Sequence, residues 1–139
     1  MLVYVAGGWF NDDQLDAVRE METALGDSMI DFHTPRLDNL WEPGMDQNIV
    51  VQENTDVMDD CTFILASTEG KDMGTLWECG YAYARGIPVV YYFKGKGNFN
   101  IMLAATATAV LQTYEDMQKY LDLVRSKGLQ NIKYEGDME

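Results

Sequence analysis

Five short apolar runs punctuate this chain, at Leu2–Ala6, Met29–Phe32, Thr62–Ala66, Ile87–Phe93 and Ala107–Leu111. Stretches with the spacing of helices separate them. After the first run, Asn11-Asp12-Asp13 supplies helix-start chemistry, and Leu15, Val18, Met21 and Leu25 follow at helical intervals, with Glu22 the polar exception. Gly26 is expected to end that helix. The stretch Ile49–Asp60 has a weaker helical pattern, with Ile49, Val50, Val57 and Met58 as its apolar side. A helix from Thr75 to about Arg85, closed by Gly86, a short one near Ile101–Ala105 and a last one over Tyr114–Ser126 complete the series. Strands that alternate with helices imply a parallel sheet with right-handed crossovers. The unbroken run Ile87–Phe93 agrees, since a strand buried on both faces shows no polar alternation. In such sheets ligands lie beyond the carboxyl ends of the strands. That rule selects four loops, Gly7–Asp13, His33–Gly44, Ser67–Thr75 and Lys94–Asn100, with His33–Pro43 expected to be irregular.

A length of 139 residues is one domain's worth, so residues 1–139 are expected to share one core. Ten basic and 23 acidic residues leave a formal charge of −13. Nucleic acid and anionic membrane surfaces are therefore poor partners, because both demand clustered cations. No run approaches the ~20 apolar residues of a membrane span, and the N-terminus lacks the basic start of a signal peptide. Cys61 and Cys79 lie in apolar surroundings with a single His in the chain. We expect two reduced thiols in a cytoplasmic protein and no zinc site.

Two glycine-rich stretches invite a phosphate reading, and neither supports it. Ala6-Gly7-Gly8-Trp9-Phe10 is not GxGxxG and runs into acidic residues that would repel a phosphate at the helix start. Lys94-Gly95-Lys96-Gly97 lacks the spacing of a phosphate loop and reads as a solvated turn. The informative segment is Asp72-Met73-Gly74-Thr75-Leu76-Trp77-Glu78-Cys79-Gly80-Tyr81-Ala82. Thr75-x-x-Glu78 fits a capping box, in which the Glu serves only the helix. The same geometry suits chemistry: a Glu in the first helical turn should stay ionised beside the positive end of the helix dipole. An ionised carboxylate can attack an anomeric carbon while a second, protonated carboxyl assists the leaving group. Asp72, Asp56 and Glu53 are the alternatives for that second group.

The central segment resembles the D-x-G-T-x-x-E-x-G-Y-A signature of the nucleoside 2-deoxyribosyltransferase family. Val3-Tyr4-Val5-Ala6-Gly7-Gly8-Trp9-Phe10 is similar to its first strand and aromatic loop. Leu37-Asp38-Asn39, Asn100-Ile101-Met102 and Tyr134-Glu135-Gly136 match further stretches in the family's order. The resemblance implies a single flavodoxin-like (Rossmann-like) α/β domain, a five-stranded parallel sheet with helices on both faces. It also implies transfer of 2-deoxyribose between nucleobases by double displacement. Glu78 would attack C1′ and form a deoxyribosyl ester, which a second base then resolves. Asp72 would hold a sugar hydroxyl or assist proton traffic, and Tyr4 would orient the nucleophile. Asn100 would contact the 5′-hydroxyl, and Glu139, in the tail 130–139, would reach the site of a neighbouring subunit. A homo-oligomer (a dimer or a trimer of dimers) follows, acting on 2′-deoxynucleosides and free bases in nucleotide salvage, with no metal or organic cofactor.

The chain departs from the family pattern on the helix before the third strand. Many members carry Asp there as a proposed proton donor; here the position is Asn54, which can only hydrogen-bond a base. Asp56 or Glu53 would substitute, or the base would be protonated through water, or turnover would be slow. A glutamine that some members place beside the base is replaced by Leu40. Related nucleotide N-glycosidases bind a 5′-phosphate with Ser and Arg in the first loop, which here has neither, so nucleosides are the expected substrates. The remaining expected contacts are Gly7, Gly74, Asp56 and Met102, with Trp9 and Phe10 stacking on the base. Trp77 is expected in the core, Met73 and Met102 mostly in packing, and His33 without a catalytic role. Two alternatives stand beside transfer: an N-glycosidase in which water takes the ester, and a nucleoside-binding protein with little catalysis.

Overall fold

The computed structural model describes residues 1–95 and 97–139. Lys96, expected in the solvated turn, lies outside them. Five strands form one parallel sheet in the order β2-β1-β3-β4-β5: β1 (Leu2–Ala6), β2 (Asp31–His33), β3 (Phe63–Ala66), β4 (Val89–Tyr92) and β5 (Ala109–Leu111). This is the flavodoxin-like order, with its switch point between β1 and β3. The strand period of two splits the core. Val3, Val5, Phe63, Leu65, Val90, Tyr92, Ala109 and Leu111 point to one face, where α1 (Asp12–Asp27) and α6 (Tyr114–Lys127) cover them. Tyr4, Ala6, Ile64, Ala66, Val89, Tyr91 and Val110 point to the other, under α3 (Gln47–Asp60), α4 (Met73–Ala84) and α5 (Ile101–Thr106). The functional loops therefore emerge above two separately packed layers.

Helix starts follow short polar caps. Asn11, Asp46, Asp72, Asn100 and Thr113 each accept a backbone N–H of the helix they begin. Several bounds differ from the sequence reading. Gly26 does not end the first helix, which runs on to Asp27 because Ser28 closes it by donating to the Ala24 and Gly26 carbonyls. The segment after β2 is not wholly irregular: Pro35, suited to a first helical turn, opens the short α2 (Pro35–Asp38). In α3 only Met58 is buried, and Ile49 is half exposed, so the weak apolar pattern marks a helix that touches the sheet at its C-terminal end.

Glu22, the polar exception in α1, has a packing role. Its carboxylate takes a two-pronged salt bridge from Arg36, at 2.7 and 2.6 Å, and accepts the Thr34 hydroxyl at 3.0 Å. That fork fastens the loop after β2 to α1 with fixed geometry. At the other end, the tail returns to the sheet. Ile132 bridges Ala109, and Glu139 exchanges backbone hydrogen bonds with Phe99 and Ile101. Tyr134 closes an aromatic cluster with Phe93 and Phe99. Among the described residues no helix is long and apolar enough to cross a membrane.

Candidate active site

The loops after β1, β2 and β3 converge on a cavity of about 520 Å³, a size that suits a small organic ligand. Its base is set by α4. Thr75, Cys79 and Ala82 are the buried residues of that helix, and Glu78 shares their face at the i, i+3, i+4, i+7 spacing. The carboxylate of Glu78 is thereby held against the sheet, where Oε2 accepts the phenolic hydrogen of Tyr4 from β1. Burial penalises its charged form and the Asp72 carboxylate adds to this, while the Tyr4 hydrogen bond acts the other way. The balance pushes Glu78 up to about 7. Tyr4 is itself pushed above the ordinary phenol range by burial and by Glu78, so it remains a donor.

These facts correct the sequence reading of the capping box. Asp72, not Thr75, is the N-cap of α4: its Oδ2 accepts the Thr75 backbone N–H at 2.9 Å and the Thr75 hydroxyl at 2.8 Å. The helix thus starts two residues earlier than Thr75, at Met73, and Glu78 lies in its second turn. There the dipole no longer dominates, and burial raises the carboxyl instead of keeping it ionised at neutral pH.

Of the expected site residues, Gly7, Trp9, Phe10, Asn54, Asp72, Gly74 and Glu78 line this cavity. Gly7 is required by space, since a Cβ there would meet Val18 Cγ2 at 2.6 Å. Trp9 and Phe10 pack on one another at 4.9 Å between ring centroids. Asp56 is not brought in: it sits on the exposed side of α3, where it accepts from Gln52 at 2.7 Å. Glu53 is exposed too and does not line the cavity. Asn100 and Glu139 line a second cavity of about 580 Å³, with Glu69, Lys71, Asn98 and Phe99. Met102 lines neither and is 70 % exposed, and Met73 is 84 % exposed, so packing in this chain does not account for these two methionines.

Among further contributors, Pro35, Asn39, Val50, Val51 and Gln14 were not singled out for the site in the sequence. Trp77 is not core: it is 55 % exposed, stacks on Tyr81 and lines the first cavity, because α4 is apolar on both faces and the sheet covers only one. Trp41, Pro35, Asn39, Val50 and Val51 line it as well, whereas Leu40 does not. His33 stacks on Tyr4 at 5.5 Å with Nδ1 3.8 Å from Asp38. Gln14, buried under the first loop, accepts the Phe10 backbone N–H at 2.9 Å. No Lys or Arg is among the described residues lining the first cavity, and no group of three His, Cys, Asp or Glu suited to a metal occurs among the described residues.

Comparison with known proteins agrees with this architecture. The 2-deoxyribosyltransferase of the psychrotolerant bacterium Bacillus psychrosaccharolyticus superimposes with a TM-score of 0.83 at 24% identity, covering 97% of this chain and 100% of that one. A CMP N-glycosidase of Clostridium botulinum gives 0.63 at 16% identity, covering 88% and 98%. A 2-desoxiribosyltransferase from Leishmania mexicana gives 0.61 at 17% identity, covering 91% and 98%. At these identities the likeness is one of fold. A search of curated proteins finds no match. The profile of the family described as nucleoside 2-deoxyribosyltransferase matches residues 3–129, and with nearly the whole chain so matched, the protein belongs to the nucleoside 2-deoxyribosyltransferase family.

Proposed function

We infer that this enzyme transfers 2-deoxyribose between nucleobases through an ester on Glu78. The observation that carries the reading is a carboxylate held near the floor of an aromatic-walled cavity by the hydroxyl of Tyr4. A nucleophile poised near neutrality is ionised in a large fraction of molecules yet is poorly solvated, which favours attack. Ionised Glu78 attacks C1′ as the glycosidic bond breaks, leaving a deoxyribosyl ester. A second base attacks C1′ of that ester and returns the β-nucleoside. Tyr4 fixes the carboxylate and stabilises its negative charge when the second base releases it. Asp72 has Oδ2 engaged by Thr75, which leaves Oδ1 to hold a sugar hydroxyl. Trp9, Phe10 and Trp77 supply stacking surface for a planar base.

Neutral nucleosides fit this cavity better than nucleotides, because two carboxylates and no lining cation would meet a 5′-phosphate. Asn100 and Glu139 lie together at the second cavity, and we assign them to a neighbour's sugar site within a homo-oligomer; the tail 130–139 is the segment that carries Glu139 there.

The test is incubation with thymidine or deoxyinosine, with and without free adenine, followed by separation of products. A new deoxynucleoside formed only with acceptor supports transfer. Free base released at the same rate without acceptor assigns hydrolysis instead. Failure with every donor favours the third reading, binding with little catalysis, to which Asn54 in place of an acid lends weight.

A further inference from the structure

The wall that α3 contributes to the first cavity carries an amide whose orientation is fixed. Asn39 is 9% exposed, and its Nδ2 donates both to the Val50 carbonyl at 3.2 Å and to Asn54 Oδ1 at 2.9 Å. A backbone carbonyl only accepts, so the Asn39 amide cannot be turned around. Its second hydrogen then holds Asn54 by the oxygen. Asn54 therefore shows the cavity its Nδ2, which has no hydrogen-bond partner among the described residues. The unsatisfied group is a donor with no proton to give away.

Among the described residues lining the cavity, neither carboxyl group is free of another assignment to serve the departing base. The carboxylates lining the cavity are Glu78 and Asp72. Glu78 is the nucleophile, and Asp72, whose Oδ2 is taken by the Thr75 N–H and hydroxyl, keeps Oδ1 for the sugar hydroxyl assigned to it. Asp56 is turned to the exposed face of α3 and paired with Gln52.

We propose that the Asn39-locked Asn54 stabilises the base as it leaves as an anion, so that the enzyme takes 2′-deoxynucleosides of acidic, electron-poor bases as its donors. The proposal rests on the reading of Glu78 as nucleophile. In the step, a Glu78 carboxylate oxygen bonds to C1′ while the C1′–N bond breaks, and its electron pair stays on the base. No proton is transferred; Asn54 Nδ2–H donates a hydrogen bond to the negative charge that develops. The anion takes its proton from water after departure. In the reverse direction the incoming base enters as its anion and attacks C1′ of the ester. Asn54 is the group that touches the base, and Asn39 is a positioning residue.

The experiment is a single-turnover measurement of base release, with enzyme in excess, on 2′-deoxyuridines carrying 5-methyl, hydrogen, 5-fluoro and 5-trifluoromethyl groups. The rate should rise roughly five- to tenfold for each unit by which the leaving base becomes more acidic. Asn54→Asp supplies the missing acid and should flatten the series to within about twofold per unit, with a rate that falls as pH rises. Asn39→Ala frees the amide and should slow every donor about tenfold while leaving the steep dependence in place. Equal rates across the series in the unaltered enzyme would overturn the proposal and leave transfer standing. Absence of cleavage even with the 5-trifluoromethyl donor would instead overturn the reading of the site on which it rests.

Discussion

Two cavities open at the same edge of one sheet, and they differ in what holds their carboxylates. In the first, Glu78 is drawn onto the buried face of α4 and tied to Tyr4 of β1, so its protonation is set by packing. In the second, Glu139 faces water, and Glu69 is only partly covered. Only a carboxylate that tertiary structure has deprived of water becomes a tuned nucleophile; one left in water is suited to holding a hydroxyl. On the proposed reading, the same edge of the fold offers a reacting pocket and a gripping pocket.

The most severe way to break this contrast is to remove the tuned carboxylate. Glu78→Ala should lower transfer by more than ~10³-fold with an unchanged circular dichroism spectrum. Survival of full activity would reject the nucleophile. Next is Tyr4→Phe. Its hydroxyl opposes the rise in the Glu78 pKa, so its loss should move the acid limb of the pH–rate profile above its midpoint near 7. The defect should be roughly 10–100-fold at pH 6.5 and smaller at pH 8.5. An unshifted limb would mean that Tyr4 does not govern the ionisation.

A third measurement concerns stability. Because Glu78 titrates higher in the folded than in the unfolded protein, the folded state holds its proton more tightly, and this contribution is complete below about pH 4.5. It is lost as pH rises to about 7 and is absent above. Glu78→Gln should remove that slope and make the protein about 1–2 kcal/mol more stable than the parent at pH 8 in urea unfolding. Parallel pH–stability curves would refute the buried-carboxyl account. Asp72→Ala removes the cap of α4 and should cost about 0.5–2 kcal/mol, whatever its effect on substrate. The mildest change belongs to the gripping pocket: Glu139→Gln should raise KM by about three- to tenfold and leave kcat within about twofold. A matching fall in kcat would erase the distinction between the cavities.

Much of this was legible in the residues themselves. Five apolar runs broken by helical spacing have one economical outcome, a parallel sheet, and its switch point indicates where a ligand belongs. Glu78 stood out too, by the Thr75-x-x-Glu78 spacing at the ligand end of a strand and by the likeness of its segment to the family signature. What periodicity could not decide was which of two apolar faces the sheet would cover, and Trp77 fell on the uncovered one. The cap of α4 was ambiguous because Asp72 and Thr75 are both good N-caps three residues apart. On α3, Asn54 and Asp56 are two residues apart, about 200° around a helix, so one facing the cavity excludes the other. Only the register of the helix on the sheet settled that it is Asn54. The pairing of Asn39 with Asn54 joins residues from separate elements and leaves no local trace.

Gln14 gives the first and third loops a common lock. A Cβ at Gly8 would come within 2.8 Å of its amide and one at Gly70 within 2.4 Å, while Phe10 hangs from its oxygen. A side chain added at Gly8 or Gly70 would press on the one amide that both loops share. Redesign of this enzyme for new bases is best placed in the segment after β2, where Trp41 lines the cavity, with Gln14 and the two loops it joins kept together.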